Sequence, residues 1–595
     1  MYPQIVVLVV TIITLFLFIQ GKLRYDFVSI LAMLALALTG VLDPADSFSG
    51  FSHPAVITVA AVLIISSALT KTGAINRILS IVDRGPNKVF IKILTLMVIT
   101  ASLSAFMNNI GALAIVMPIG LTIAKANKIS PSKLLMPISF ASLLGGMITG
   151  IGTPPNLIVS TYRIQAGSEA FSFFSFAPVG LSLALVGILF TVFIGWRFIP
   201  LRDSKTLKER FNLDDYLFEL VVTDHCSVQG MNLKDFFSTY KLSGTVLSII
   251  SKDQRIISPG GSQKIHPKDI LIVKAMSSDL KNLISKECLE LRGAKTEKLS
   301  SERLLKSDDI ALVEVVLRND SPLVGRTAIE TRLRNKYNAN LLAVSRKGVS
   351  NVVRLKAFRF QSGDILLLQA PKDSLSDLYA KMRCLPLAER GVDLQIEDSS
   401  KEQYITLGVF GLSILLSAFN IIPVQIAFAS AALLLLIFKI LTPREFYDSI
   451  EWPTIFMIGS LFALGKALET SGASDTIAGL LTKLSTRFPP YLMVGVLMLI
   501  TIILTNVINN TATTILMGPI ALSVALSMQV SPDPLLMAIA IGASTSFMTP
   551  IAHQSNTLVM GPGGYKFTDY WYLGLPLSLI SLFLGVPLIL TFWPL

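Results

Sequence analysis

The chain has 595 residues, of which 52% are hydrophobic and 15% charged, and a formal net charge of +12. Soluble globular chains carry about 25% charged residues, so this composition excludes a chain that is soluble throughout, and a mean hydropathy of +0.64 puts most of the mass in lipid. Much of the basic excess falls in short loops and no nucleic-acid motif or catalytic pair stands out, so neither a nucleic-acid partner nor an enzyme activity is expected.

In chain order, the first apolar run (5–19) has no basic leader and no small-residue cleavage site, and reads as a retained helix rather than a signal peptide. Further apolar runs follow at 27–42, 54–69, 132–151 and 175–195, and beyond a polar middle at 404–418, 421–438, 453–468, 533–548 and 571–593. A helix needs about 20 apolar residues to cross a hydrocarbon core of about 30 Å, which predicts about ten spans. The stretches 90–125 and 489–527 are longer, with Asn and Thr at their centres. Polar non-helical backbone at membrane depth is tolerated only where protein or a water-filled cavity surrounds it. A re-entrant hairpin with its Asn tip at the midplane fits that condition.

The two apolar halves resemble each other. HPAVITVAAVLIISSALTKTGA (53–74) matches WPTIFMIGSLFALGKALETSGA (452–473) at an offset of 399. NNIGALAIVMP (108–118) matches NNTATTILMGP (509–519) at 401, and TGIGTPPN (149–156) matches TPIAHQSN (549–556) at 400. Three matches in one order at nearly one offset predict a duplication, repeat 1 over 1–200 and repeat 2 over 400–595.

The polar middle predicts two small α+β domains, 205–300 and 301–395. LFELVVT (217–223) aligns with ALVEVVL (311–317), and KDILIVKA (268–275) with GDILLLQA (363–370); these and TVLSIIS (245–251) read as strands. SSDLKNLIS (277–285) and KDSLSDLYAKM (372–382) read as helices. Cys226, Cys288 and Cys384 are odd in number and form no C-x-x-C, which fits a reducing cytosolic face and no structural zinc or other transition metal.

Lysine and arginine set the orientation. With the polar middle cytoplasmic and the hairpins re-entrant, each half has five crossings and the halves are oppositely oriented. The inside loops 21–26, 71–88, 125–133, 196–205 and 439–445 are basic, whereas the outside loops 42–50, 419–423 and 527–534 hold no Lys or Arg. The outside segment 466–487 is the exception, with three. Both termini are then outside. The fold class expected is an α-helical polytopic membrane protein with two inverted repeats and two hairpins, carrying an inserted cytoplasmic α+β pair.

The spans hold almost no Asp, Glu or Arg, whereas a proton-coupled carrier needs an intramembrane titrating group. They hold neutral oxygen instead: Ser104, Asn108, Asn109 and Thr149 in one half, and Thr505, Asn509, Asn510, Thr511 and Thr549 in the other. Hydroxyl, amide and carbonyl oxygens suit Na⁺. GIGTPPN and TPIAHQSN place prolines inside apolar spans, which breaks the helix. Freed helix N-termini favour an anion, and inverted repeats with broken helices at the bilayer centre build many secondary transporters. Beside this stands the plainer reading that a membrane Asn bonds a neighbouring helix. His53, before Pro54, reads as structural, His225 and His266 as solvated, and GPGG (561–564) as a turn closing the second broken helix.

These motifs resemble the divalent anion:sodium symporters, SLC13-like permeases of the ion transporter superfamily, over roughly 1–200 and 400–595. That family carries Ser-Asn-Thr at each hairpin tip and a Gly-Thr-Pro-Pro-Asn type break. The first break matches from Gly152 to Asn156 through Thr153 and Pro154, while the second departs as Ala552-His553-Gln554-Ser555-Asn556. By this resemblance Ser104, Asn108, Asn109 and the Gly152 backbone would hold one Na⁺. Thr505, Asn509, Asn510 and the Ala552 backbone would hold another. The substrate would sit between the tips at Asn109, Asn510 and Thr511, with Thr153, Pro154, Asn156, His553, Ser555 and Asn556 of the breaks around it. Ile110 stands where the family has Thr, and with His553 permits a smaller anion such as sulfate. The family moves by an elevator-like mechanism on a homodimer scaffold. The polar middle resembles a pair of RCK C-terminal (TrkA-C) domains, which bind small regulatory ligands.

The function expected is a sodium-coupled importer of sulfate in the plasma (inner) membrane. The alternatives are a dicarboxylate symporter and an arsenite or Na⁺/H⁺ antiporter-type exporter, against which the missing carboxylates weigh. A gated channel is disfavoured because no TVGYG-like filter is present.

Overall fold

A computed structural model of the chain describes residues 2–20, 23–73, 89–127, 129–202, 400–485 and 489–595, and, of the polar middle, 217–223, 230–239, 245–251, 254–257, 259–274, 289–291, 310–318, 321–346, 349–351 and 358–388. The basic segment 74–88, His225, Cys226, Cys288, the helix expected at 277–285 and the ends of the two inserted domains lie outside the described residues. The chain divides into two compact units, Met1–Asp203 with Arg390–Leu595, and Ser204–Glu389.

The first unit is helical. Its first half holds α1 (Tyr2–Gln20), α2 (Tyr25–Leu38), α3 (Pro44–Phe48), α4 (Pro54–Lys71), α5 (Val89–Phe106), α6 (Asn109–Ala126), α7 (Ser132–Gly146), α8 (Pro154–Gln165) and α9 (Ala177–Phe193). Its second half holds α10 (Ser400–Ala418), α11 (Val424–Ile437), α12 (Pro443–Asp448), α13 (Trp452–Thr470), α14 (Ala473–Ser485), α15 (Pro490–Thr505), α16 (Asn510–Met528), α17 (Asp533–Ser544), α18 (Gln554–Gly563) and α19 (Asp569–Phe592). Every apolar run of the sequence lies in a helix, and among the described residues six segments are long and apolar enough to cross a membrane. Side chains such as Leu38, Leu181 and Phe583 are exposed on these helices, as lipid-facing residues of a polytopic membrane protein are.

Contacts between the halves come in matched pairs. α2 packs on α13, and α11 on α4; α8 packs on α16 and α17, and α18 on α6 and α7; α9 and α19 meet each other. Ion pairs follow the same exchange, with Asp46 of α3 meeting Lys466 of α13 at 2.6 Å and Glu445 of α12 meeting Lys71 of α4 at 2.7 Å. Lys466, one of the three basic residues in the exceptional segment, thus has a local electrostatic partner. The Glu445 carboxyl sits below its usual range: burial pushes it up, but the Lys71 and Thr442 bonds more than offset this.

Prolines inside helices supply further joints, because a proline has no N–H for the carbonyl four residues back. Pro519 leaves the Ile515 carbonyl free, and Tyr162 of α8 donates its hydroxyl to it at 2.9 Å. Gly518 makes the room, since a Cβ there would lie 2.1 Å from the Tyr162 ring. On the opposite side Tyr565 inserts its hydroxyl into the ladder of α7, donating to Ser132 O and accepting from Met136 N at 2.8 Å.

Among its described residues the second unit holds β1 (Leu217–Val222), β2 (Thr245–Ser251), β3 (Gln254–Ile257), β4 (Ile270–Lys274), β5 (Leu289–Leu291), β6 (Ile310–Leu317), β7 (Asn340–Arg346), β8 (Val349–Asn351), β9 (Ile365–Pro371) and β10 (Cys384–Ala388), in two antiparallel sheets ordered β3-β2-β4-β1-β5 and β10-β6-β9-β7-β8. The strands expected from the aligned segments are β1 (Leu217–Val222), β4 (Ile270–Lys274), β6 (Ile310–Leu317) and β9 (Ile365–Pro371), and TVLSIIS is β2 (Thr245–Ser251). In each sheet the aligned strands are neighbours at the centre. A buried Asp fastens the turn before the inner strand: Asp269 accepts from His266 N at 2.8 Å and Asp364 from Gln361 N at 2.7 Å. Burial pushes the Asp364 carboxyl up, against the pull of the Arg346 guanidinium bonded to it at 2.7 Å. The His266 side chain is 58% exposed. Buried Cys384 lies in β10 (Cys384–Ala388), and burial raises its thiol well above the ordinary range.

Candidate functional site

Both hairpin stretches fold as two helices around a short break. The first Asn of each pair caps the second helix. Asn108 accepts from Gly111 N at 2.7 Å and Asn509 from Ala512 N at 2.7 Å, both with extended backbone. Asn favours this position because its side-chain oxygen takes one of the four N–H groups that a helix start leaves unpaired. This shared cap is why the amide recurs at both tips, and it gives Asn108 and Asn509 a structural task.

The second Asn of each pair faces the other half of the molecule. The Asn109 amide lies 3.3 Å from His553 Nε2, and Asn510 Nδ2 donates to Thr153 Oγ1 at 3.4 Å. Thr153 and His553 are the caps of the broken helices α8 and α18, with φ/ψ of −148°/145° and −144°/144°. Four helix N-termini therefore converge in two crossed pairs, α6 with α18 and α16 with α8. Pro154 begins α8, where its missing N–H costs nothing. His553 Nδ1 accepts from Ser555 N at 3.1 Å, while the buried Ser555 hydroxyl has no partner among the described residues.

Oxygens gather behind Asn109. Ser104 donates to Ser142 O at 2.7 Å and touches the Asn109 amide at 2.7 Å. The same amide atom lies 2.9 Å from Ser142 O and 3.3 Å from Gly152 O. A Cβ on Gly152 would sit 2.6 Å from Gly146 O, so only glycine allows this close approach. In the second half Thr505, which matches Ser104, donates to Ala543 O at 2.7 Å and lies 2.9 Å from Ser546 Oγ. Here the halves differ. Asn510 Oδ1 turns to Thr511, accepting from its N at 2.8 Å and its Oγ1 at 3.3 Å. Ala552 N donates to Thr549 Oγ1 at 3.2 Å.

The breaks are stapled by the paired asparagines. Asn156 Nδ2 donates to Gly146 O at 3.2 Å and Thr149 O at 2.8 Å, and Asn556 Nδ2 to Ser546 O at 2.8 Å and Thr549 O at 3.1 Å. Thr149 in turn donates to Ala105 O, and Thr549 to Asn506 O at 2.8 Å, which ties each break to its hairpin. Asn156 and Asn556 are fully buried, so both hold the break rather than face a cavity. Ser139 donates to Asn556 Oδ1 at 2.8 Å, whereas Asn156 Oδ1 has no partner among the described residues. The residue matching Ser139 is Ala540, 401 positions on, which has no hydroxyl to offer. Ser139→Ala should leave Asn556 equally bare and destabilise the protein by about 1–3 kcal/mol. A thermal unfolding midpoint unchanged from wild type would contradict this.

Sequence reasoning passed over Ser139, Asn506 and Ser546. Asn506 bonds Ile502 O at 2.8 Å, Thr545 O at 3.1 Å and Met548 N at 2.8 Å. Its signal was available as a third amide in TNVINNT, three positions before Asn509. His53 is structural as expected: it caps α4, accepting from Ala55 N at 3.3 Å, and stacks on Phe462 at 3.9 Å. The GPGG run ends α18, with Gly564 at φ 68° as its cap.

The profile of the citrate transporter family, CitMHS, matches residues 14–542. The chain is similar to the uncharacterized transporter sll0640 of Synechocystis sp., 32% identical over 590 residues, covering 98% of this chain and 96% of that relative. It is similar to the uncharacterized transporter YfbS of Escherichia coli (strain K12), 31% identical over 606 residues, covering 98% of each. Over a shorter length it is similar to sodium/sulfate cotransporter 2 of Chlamydomonas reinhardtii, 26% identical over 417 residues, covering 65% of this chain and 46% of that relative. These relatives are transporters rather than enzymes. With its apolar helices and its crossed pair of capped tips and broken helices, the chain is an integral membrane protein that belongs to the citrate transporter family, of the SLC13-like kind its motifs resemble.

Proposed function

We propose that the protein is a sodium-coupled symporter that imports a divalent oxyanion, sulfate before dicarboxylate. The observation that carries this reading is the oxygen cluster of Ser104 Oγ, Ser142 O, Gly152 O and the Asn109 amide, set directly behind the crossed contact of Asn109 with His553. Neutral oxygens without a titrating group fit a hard alkali cation. Thr505 Oγ1, Ala543 O and Ser546 Oγ form the matching donor set in the second half, with Asn510 and the Ala552 backbone nearby in sequence. Four helix N-termini beside these sets favour an anion. Asn510, Thr511 and Thr153 lie on one side of the anion, and Asn109 and His553 on the other. The sodium/sulfate cotransporter among the relatives supports sodium as the coupling ion and sulfate as the anion, while the name of the family favours a carboxylate.

The matched helix series supports two inverted repeats and about ten spans with two re-entrant hairpins, and the Lys and Arg distribution supports both termini outside and residues 200–400 cytoplasmic. The protein sits in the plasma membrane as a homodimer and moves its hairpin-bearing helices as an elevator. The paired sheets act as RCK_C-like regulators that bind a small ligand.

The test is uptake of labelled sulfate, succinate and citrate into proteoliposomes with and without an inward Na⁺ gradient. Sulfate accumulation that needs Na⁺ is the result expected. Succinate or citrate uptake without sulfate uptake would assign the dicarboxylate reading, and sodium-independent or proton-driven flux would remove the symporter reading.

A further inference from the structure

The Asn109 amide can be placed in two orientations, and they have opposite consequences. His553 Nδ1 accepts from Ser555 N at 3.1 Å, so the neutral ring carries its proton on Nε2. Nε2 is thus a donor, and it points at the Asn109 amide from 3.3 Å. A donor needs the amide oxygen. With Oδ1 turned to His553, Asn109 Nδ2 donates into the oxygen cluster, at 2.7 Å to Ser104 Oγ and 2.9 Å to Ser142 O, with Gly152 O at 3.3 Å. The Asn109 amide is then satisfied at both ends, and its N–H₂ group points into the oxygen cluster.

With the amide turned over, Oδ1 joins Ser142 O and Gly152 O. Ser104 Oγ, 2.7 Å from both Oδ1 and Ser142 O, then has one proton to share among the facing acceptors, an arrangement that a cation relieves. On the other side Nδ2 faces the Nε2–H of His553, and donors face donors, which an anion's oxygen relieves. One half-turn of one amide therefore creates a cation site and an anion site together, and the reverse turn abolishes both.

We propose that His553 is the latch of this swivel: its Nε2–H holds Asn109 in the closed orientation and becomes, with Asn109 Nδ2, a pair of convergent donors to the anion once the amide turns. The inference rests on the sodium-site reading above. It gives the second break's departure at His553 a task in coupling, because the Thr153 cap of the first half meets Asn510 as an acceptor, at 3.4 Å, and so does not hold that amide by its oxygen.

His553→Thr tests it, since Thr keeps an oxygen that can cap Ser555 N–H while removing the ring Nε2–H that faces Asn109. Purified full-length protein is titrated with NaCl at constant chloride, choline replacing sodium and no anion substrate present. Binding is read by calorimetry and by the shift in unfolding temperature. Loss of the competing bond should tighten Na⁺ binding about 3- to 10-fold. Sulfate should strengthen Na⁺ binding in the wild type and do so less in the variant. Unchanged or weaker Na⁺ binding in a His553→Thr protein that melts as the wild type does would overturn the latch while leaving the sodium site standing. No Na⁺ response in the wild type would overturn the sodium site and the latch together. If His553→Thr does not unfold cooperatively, His553→Asn carries the same expectation, since it also caps and is too short to reach Asn109.

Discussion

Asn109→Ala and Asn510→Ala should each abolish sodium-driven anion uptake, by about 100-fold or more, in protein that still inserts and unfolds cooperatively. The size of the effect follows from position. Each amide is buried at a helix tip and reaches the cap of the opposite broken helix, Asn109 to His553 and Asn510 to Thr153. On the proposed reading, removing either takes away an anion donor and a link between the halves at once, and removing Asn109 also takes away a cation ligand. Several interactions of about 1–3 kcal/mol are lost together, and each 1.4 kcal/mol is a factor of about ten. Asn108→Ser and Asn509→Ser should differ sharply from these, because Ser also caps a helix. Wild-type uptake in either alanine variant would remove the site assignment.

Gly180→Ala and Gly574→Ala should be among the most damaging changes away from the polar site. A Cβ on Gly180 would lie 2.1 Å from Met147 O, and one on Gly574 would lie 2.4 Å from Phe547 O. Met147 and Phe547 are matched residues 400 positions apart, each at the point where a helix gives way to a break. α9 and α19 thus press glycines against the backbone that shapes the two breaks. Backbone cannot rotate aside as a side chain does, so the helix must back away. Overpacking of this kind costs about 1–3 kcal/mol, occasionally more. Both variants should unfold at lower temperature and lose transport by moving Gly152 and Ala552 from their places. Normal melting and normal uptake in both would show that these close approaches are relaxed in the membrane.

Much of the helical unit was legible in the chain. Length and apolarity placed the helices, because burial in lipid demands both, and the repeated motifs found the tips and breaks. The sites were legible only in part. The doubled Asn marked where the tips meet the breaks but not the division of labour within the pair. Asn108 and Asn109 are the same residue type one position apart, yet one caps its own helix and the other crosses to His553. The strands around KDIL and GDIL were readable, whereas their common order within two sheets was not.

The sequence by itself determined an apolar, duplicated chain with amides at two matched tips and prolines at two matched breaks. Those are local properties, carried by composition, spacing and self-similarity. Only the tertiary structure decided that each tip meets the break of the other half. The partners lie 444 residues apart for Asn109 and His553 and 357 for Asn510 and Thr153, and no local pattern encodes a contact at that distance. It also decided that Asn109, not Asn510, backs onto the gathered oxygens, because that depends on how a single amide is turned among its packed neighbours.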